Sequence, residues 1–181
     1  GIEAIRVWAG TSRYAHNEIV FEEAEGRDII GTRFTNREQE GRTEVQHLPL
    51  QTIFGELRGA AGVQAIRKTT AGFGIEEEVD GLVVPAARAR SVAGFLFEEL
   101  QVTGKLRLQG AVRLESTHST GTAIMDTEDP MSGTERRSRA FKPLSASAGM
   151  LYDLPLGVVA RLTAQYTERA PDLGELFSKG V

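Results

Sequence analysis

The stretch Ser91–Thr117, SVAGFLFEELQVTGKLRLQGAVRLEST, decides the fold. Its second half alternates with a period of two: Leu106, Leu108, Val112 and Leu114 fall on one face, and Lys105, Arg107, Gln109, Arg113 and Glu115 on the other. Ser91–Gln101 is a second extended run, separated from the first only by Val102, Thr103 and Gly104. That spacing predicts an antiparallel hairpin with a three-residue loop and Gly104 at positive φ. Each arm reaches about ten residues, whereas strands of soluble domains usually have about five or six and a tilted bilayer-crossing strand needs about 9–11. Arm length therefore points to a membrane barrel.

The same pattern recurs on both sides of this hairpin. In Ile2–Tyr14, Ile5, Val7 and Ala9 oppose Arg6, Gly10 and Ser12, with Trp8 on the polar side. His16–Ile29 carries Glu18, Glu22, Glu23, Glu25 and Asp28 around Gly26 and reads as a long acidic loop. Gly31–Leu48 alternates again until Pro49, which cannot donate to a strand ladder. Thr52–Arg67 then runs on as the next strand, with Ile53, Leu57, Ala61, Val63 and Ala65 sharing a face with Gly55 and Gly59. Lys68–Arg88 and Thr117–Ser138 read as long connections. Arg139–Tyr152 and Val158–Thr167 read as the last two strands, joined by a tight turn around Pro155 and Gly157.

Long and short connections alternate along the whole chain. Outer-membrane barrels have tight turns at one end and long loops at the other, with an apolar outside and a polar inside. The expected fold is therefore all-β: an antiparallel up-and-down transmembrane β-barrel segment of about seven long strands. Seven strands do not close a single-chain bacterial barrel, where the count is even and at least eight. The chain opens at Gly1 and ends on a loop, so residues 1–181 are expected to be one part of a larger barrel domain, located in the outer membrane and bounded by lipid.

Composition narrows the classes without choosing among them. Of the 181 residues 40% are hydrophobic and 25% charged, which suits a soluble domain and a wet-cored barrel alike. The net charge is −4 and the 21 basic residues are scattered, so no nucleic-acid surface is expected. Cysteine is absent, which removes disulfides, thiolate metal sites and cysteine nucleophiles. No apolar run is long enough for a transmembrane helix.

Several segments resemble a known family. Phe141–Gly149 (FKPLSASAG), Tyr166–Pro171 (YTERAP) and Glu175–Phe177 (ELF) are similar to the barrel strands of TonB-dependent outer-membrane receptors, as are Ala93–Glu99 (AGFLFEE) and His16–Ile19 (HNEI). The resemblance implies a 22-stranded barrel filled by a plug, which binds a scarce nutrient such as a metal ion, siderophore or haem and imports it with energy relayed by TonB. It also implies as partners the rest of the barrel, the plug, TonB through that plug and a small nutrient ligand. No plug or TonB-contacting segment is recognisable in these 181 residues, so the chain alone is not expected to transport.

Candidate site residues are few. His16 and His118, with Asp126 and Glu128, are candidate metal ligands in the expected loops, since imidazole plus carboxylate suits zinc-like ions. None has a ligand spacing such as HxxxH, and solvated loop residues are the plainer reading. The acidic runs Glu76–Glu78 and Asp126–Asp129 lack the frame of a calcium loop. No nucleotide, hydrolase or metalloprotease motif is present. No enzymatic activity and no cofactor are expected. Two rivals remain: a soluble all-β ligand-binding module, and a glycoside-cleaving enzyme using pairs from Glu98, Glu99 and Glu115.

Overall fold

In the computed structural model, which describes residues 1–22, 26–74, 84–124 and 134–177, the chain is one antiparallel sheet. Its strands are β1 (Ile2–Glu22), β2 (Arg27–His47), β3 (Leu50–Thr52), β4 (Gly55–Gly74), β5 (Val84–Gln101), β6 (Leu106–Ile124), β7 (Thr134–Phe141), β8 (Leu144–Asp153) and β9 (Val159–Thr167), followed by a short helix α1 (Leu173–Phe177). The order β1-β2-β4-β5-β6-β8-β9 follows the chain up and down. The short β3 turns back on β4, and β7 continues β8 along β6, so the sheet is seven strands wide and curled into a half-barrel.

Register explains the alternation. Opposed residues on adjacent strands share a face, so one row across the sheet reads Ile5, Val45, Ala61, Leu96, Val112, Ala146, Tyr166. Two residues further along, the row reads Val7, Thr43, Val63, Gly94, Leu114, Leu144. Five such rows, from Leu57 to Ala65 on β4, build an outer face that is predominantly apolar, with Glu98 and His47 in the second row as the charged-type exception. At about 3.4 Å per residue and a tilt of about 40° the five rows stand roughly 21 Å tall, close to the apolar band of about 25 Å on a membrane barrel. Val7, Val63, Val92, Leu114 and Leu162 on this face are between 58% and 70% exposed. No second layer covers them among the described residues, unlike the inner faces of a sandwich, which bury each other.

The opposite, more shielded face is polar: Arg6, Glu44, Gly62, Phe95, Arg113, Ser145 and Thr167 form one of its rows. The buried apolar cluster is small, with Ala87, Leu173 and Phe177 where α1 lies against β5 and β6.

Five details differ from the sequence expectation. The acidic segment His16–Ile29 is mostly strand: β1 and β2 remain paired as far as Glu22 and Arg27, and Gly26 at φ 65° tightens the end. β4, β5, β6 and β7 likewise run beyond the expected strand ends into Lys68–Arg88 and Thr117–Ser138. There both faces carry polar residues, so the alternation that marks a strand disappears. Gly104 does not adopt positive φ; the turn is held by the Thr103 hydroxyl, which accepts from the Lys105 and Leu106 amides. Thr52–Arg67 is broken at Ile53–Phe54, where β3 reverses into β4 and Gly55 takes φ 132° against the Gln101 backbone. Arg139–Tyr152 is interrupted at Lys142–Pro143, since proline has no amide to give the ladder.

Candidate functional site

The candidate site is the inner face of the half-barrel, built from side chains that cross between strands. Arg6 on β1 donates to Glu44 at 3.2 Å and to Gln46 at 2.9 Å on β2, and Arg42 donates to Glu44 at 2.9 Å. The Arg42 guanidinium also lies 5.3 Å from the Trp8 ring and 4.4 Å from the Phe95 ring. Phe95 is on β5, two strands away. It reaches Arg42 because the intervening residue on β4 is Gly62, where a Cβ would strike the Phe95 ring. One cation thus joins three strands through ring faces and a carboxylate. Further along, Arg113 donates to Glu115 at 2.8 Å and Thr117 to the same carboxylate at 2.7 Å. Gln109 bonds Glu99 at 2.6 Å and Arg107 bonds Asp153 at 2.8 Å.

The chain after β9 folds back over this face. Glu168 accepts from the Leu144 amide at 2.8 Å and returns its own amide to the Leu144 carbonyl at 3.1 Å. Arg169 makes a two-pronged contact with Glu175 at 2.7 and 2.9 Å, and the Asp172 amide donates to Glu175 at 2.7 Å. Those donors pull the Glu175 carboxyl down to about 2. Burial works to raise Asp172, but hydrogen bonding from Lys68 and the Gly174 amide outweighs it and leaves that carboxyl below its ordinary value. Leu173 and Phe177 are buried, with the Phe177 ring lying over Gly121. Beneath this roof is a cavity of 500 Å³ whose lining includes Lys68, Ser91, Arg113, Glu115, Thr117 and Arg169. Its paired charges and hydroxyls suit a polar solute or peptide segment rather than an apolar one.

The two described histidine candidates are not brought together. His16 is on the inner face of β1, stacked on Phe34 at 5.0 Å and beside Tyr14. His118 is on the outer face of β6 with Nε2 3.1 Å from the Ser138 hydroxyl. Strands β2, β4 and β5 stand between them. Asp126 and Glu128, and the acidic run Glu76–Glu78, lie outside the described residues. Among the described residues no group of three or more histidine and acidic side chains is placed to hold a metal ion.

The acids considered for sugar cleavage are also separated. Glu98 faces outward and Glu99 inward. Glu99 pairs with Gln109, six residues along β6 from Glu115, a strand distance of about 20 Å against about 5–9.5 Å for glycosidase carboxylates. Sequence reading missed the Trp8–Arg42–Phe95 bridge and the Arg169–Glu175 fork. The small residues at Gly62 and Gly121, opposite aromatic partners, were the only signals.

The geometry defines a class: a curved, up-and-down antiparallel wall, apolar outside and charged inside. No protein-family model matches the chain, and no curated protein matches its sequence. Among solved structures it is similar to the copper transporter OprC, with a TM-score of 0.72 over 94% of this chain at 14% identity. The match spans 29% of the OprC chain. At that identity the similarity speaks for the fold, a barrel-like wall shared with a transporter.

Proposed function

We propose that the chain is part of the wall of an outer-membrane transport receptor, which takes up a scarce nutrient with energy supplied through TonB. One observation carries the reading: apart from the Glu98–His47 pair, the outer face is predominantly apolar over a height close to that of a bilayer, while the inner face is a connected polar surface. Unpaired β1 and β9 edges then belong against further strands of the same barrel, because lipid leaves no backbone group unbonded. The polar inner face and its cavity would meet a plug or the passing solute. The TonB link is supported by the sequence segments FKPLSASAG, YTERAP and ELF. A metal ion or metal complex is favoured as cargo by the likeness to a copper transporter. On this reading the chain contributes wall and has no enzymatic activity.

The test uses the absence of cysteine from these 181 residues, with any cysteine elsewhere in the receptor replaced by serine. In the intact receptor reconstituted into phospholipid bilayers, single cysteines at Val63, Val112 and Leu114, and at their neighbours Gln64, Ala111 and Arg113, are labelled with a nitroxide. The first set is expected to be accessible to oxygen and protected from a water-soluble nickel relaxant, and the second set the reverse. Equal access to the nickel reagent at both sets overturns the membrane reading. Accumulation of copper and of ferric siderophores by cells with and without the receptor then tests the cargo.

A further inference from the structure

Immediately above the apolar belt the outer face changes character. On β4, Ala65 closes the belt and Arg67 follows two residues later, directly opposite Arg90 on β5. In the next row Arg13 on β1 lies directly opposite Arg37 on β2, and Arg88 on β5 lies opposite Thr69. All five arginines are exposed. These two rows contain no carboxylate among the described residues, and none of the five has an ion-pair partner there. On the inner face, by contrast, Arg6, Arg42, Arg107 and Arg113 each hold an acid. Like charges directly opposed on adjacent strands destabilise a sheet, and here two such pairs occur side by side. Arg13, Arg37, Arg67 and Arg88 line one groove of 820 Å³, together with Thr69.

We infer that this arginine groove is a binding site for the phosphate group of a lipid headgroup, whose acyl chains lie down the apolar rows beneath it. The inference rests on the reading that the outer face meets lipid. Three features converge on that occupant. The guanidinium fork matches phosphate oxygens two at a time. An anion between the opposed arginines removes the repulsion that the sheet otherwise carries. The groove is continuous with Ala65 and Val92 on the same face, so an occupant with a charged head and apolar tails satisfies both regions at once, which a soluble phosphate does not.

The experiment uses the intact receptor in maltoside micelles doped with phosphatidic acid, with phosphatidylcholine of the same acyl chains, or with inorganic phosphate in the buffer. Retained lipid is counted by native mass spectrometry. Phosphatidic acid is expected to be retained selectively, and Arg37→Gln, Arg67→Gln and Arg88→Gln to weaken retention about fivefold each. The triple variant should lose on the order of 100-fold. Arg161→Gln on the inner face removes the same charge and should change retention less than twofold. Equal retention of the two lipids, or equal loss in Arg161→Gln, overturns the inference. Inorganic phosphate that displaces phosphatidic acid at equal concentration assigns the groove to a soluble anion and overturns it too. The nitroxide profile at Val63, Val112 and Leu114 separates the two ideas: a lipid-exposed belt without lipid selectivity sinks this inference alone, and a wet belt sinks both.

Discussion

Placing an arginine on two successive residues of β6 tests the face assignment most directly. Val112 belongs to the third of the five apolar outer rows, with Leu96 and Ala146 beside it, so it is at mid-depth of the belt. Ala111 is on the inner face between Phe97 and Ser147. An arginine at the bilayer midplane of a barrel costs about 2–4 kcal/mol, roughly a thirtyfold to thousandfold loss in the folded ratio. Val112→Arg is therefore expected to destabilise the reconstituted receptor by that amount. Ala111→Arg points into a wet interior already carrying Arg113 and Gln109, and is expected to change stability by less than about 1 kcal/mol. Urea titration in phospholipid vesicles, followed by Trp8 emission in a receptor with any other tryptophan replaced by phenylalanine and by heat-modifiable gel mobility, measures both variants. If Val112→Arg stays within about 0.5 kcal/mol of the parent, as an exposed surface substitution does, the outer face is not in lipid and the barrel-wall reading fails.

Three further outcomes follow from the inner face. The Glu175 carboxyl titrates near 2 when folded and near 4.5 when unfolded, so its contribution is complete above pH 4.5 and is lost as pH falls toward 2; the protection of amides 168–177 relative to their intrinsic exchange should fall across that window, and Glu175→Gln should lower it at pH 7. Gly121→Ala puts a methyl into the Phe177 ring, so α1 should undock and exchange faster while the β5–β6 ladder keeps its protection; unchanged exchange in α1 would contradict the packing. Arg42→Gln removes the cation between Trp8 and Phe95, at a cost of about 0.5–1 kcal/mol, and should shift Trp8 emission; an unshifted spectrum would mean that the sandwich does not persist in solution.

How much of this was legible depended on which part of the wall a residue occupies. Inside the belt one face is apolar and the other polar, so period-two alternation identifies Leu106–Leu114 or Leu144–Met150 as strand without ambiguity. Above the belt water is expected on both sides. Along β1 the outer residues become Arg13, Ala15 and Asn17 and the inner ones Tyr14, His16 and Glu18, and nothing distinguishes that from a polar loop although the pairing with β2 is unbroken. Histidines assigned to loops were therefore strand residues. The inner network was hidden for a different reason: Arg42 and Phe95 are 53 positions apart, and their contact depends on Gly62 leaving room on the strand between them. The fold-back of the tail was half visible, since Pro171–Phe177 reads as a helical turn with proline near its start, but its docking on Gly121 requires the register of β5 and β6.

Glu98 is the strongest objection to a lipid-facing outer surface, because its strand parity puts a carboxylate in the second apolar row, between Leu96 and Leu100. The objection is met by His47, the last residue of β2, whose Nε2 is 3.2 Å from the Glu98 carboxylate. The two groups bridge over β4 at Gly59, where any Cβ would strike the carboxylate and the Phe97 carbonyl. The other ring nitrogen, Nδ1, is 2.7 Å from the Leu48 carbonyl, which only accepts. The geometry fixes one proton on Nδ1, given to the carbonyl, and one further proton on the line between Nε2 and the Glu98 carboxyl oxygen. The pair is then neutral as a unit and lies toward the short-turn edge of the belt, where the cost of polar groups on a barrel exterior falls to about 0–1 kcal/mol. Its position also gives Gly59 a reason that curvature alone does not supply: it is the gap through which a carboxyl in an apolar row finds its hydrogen-bond partner.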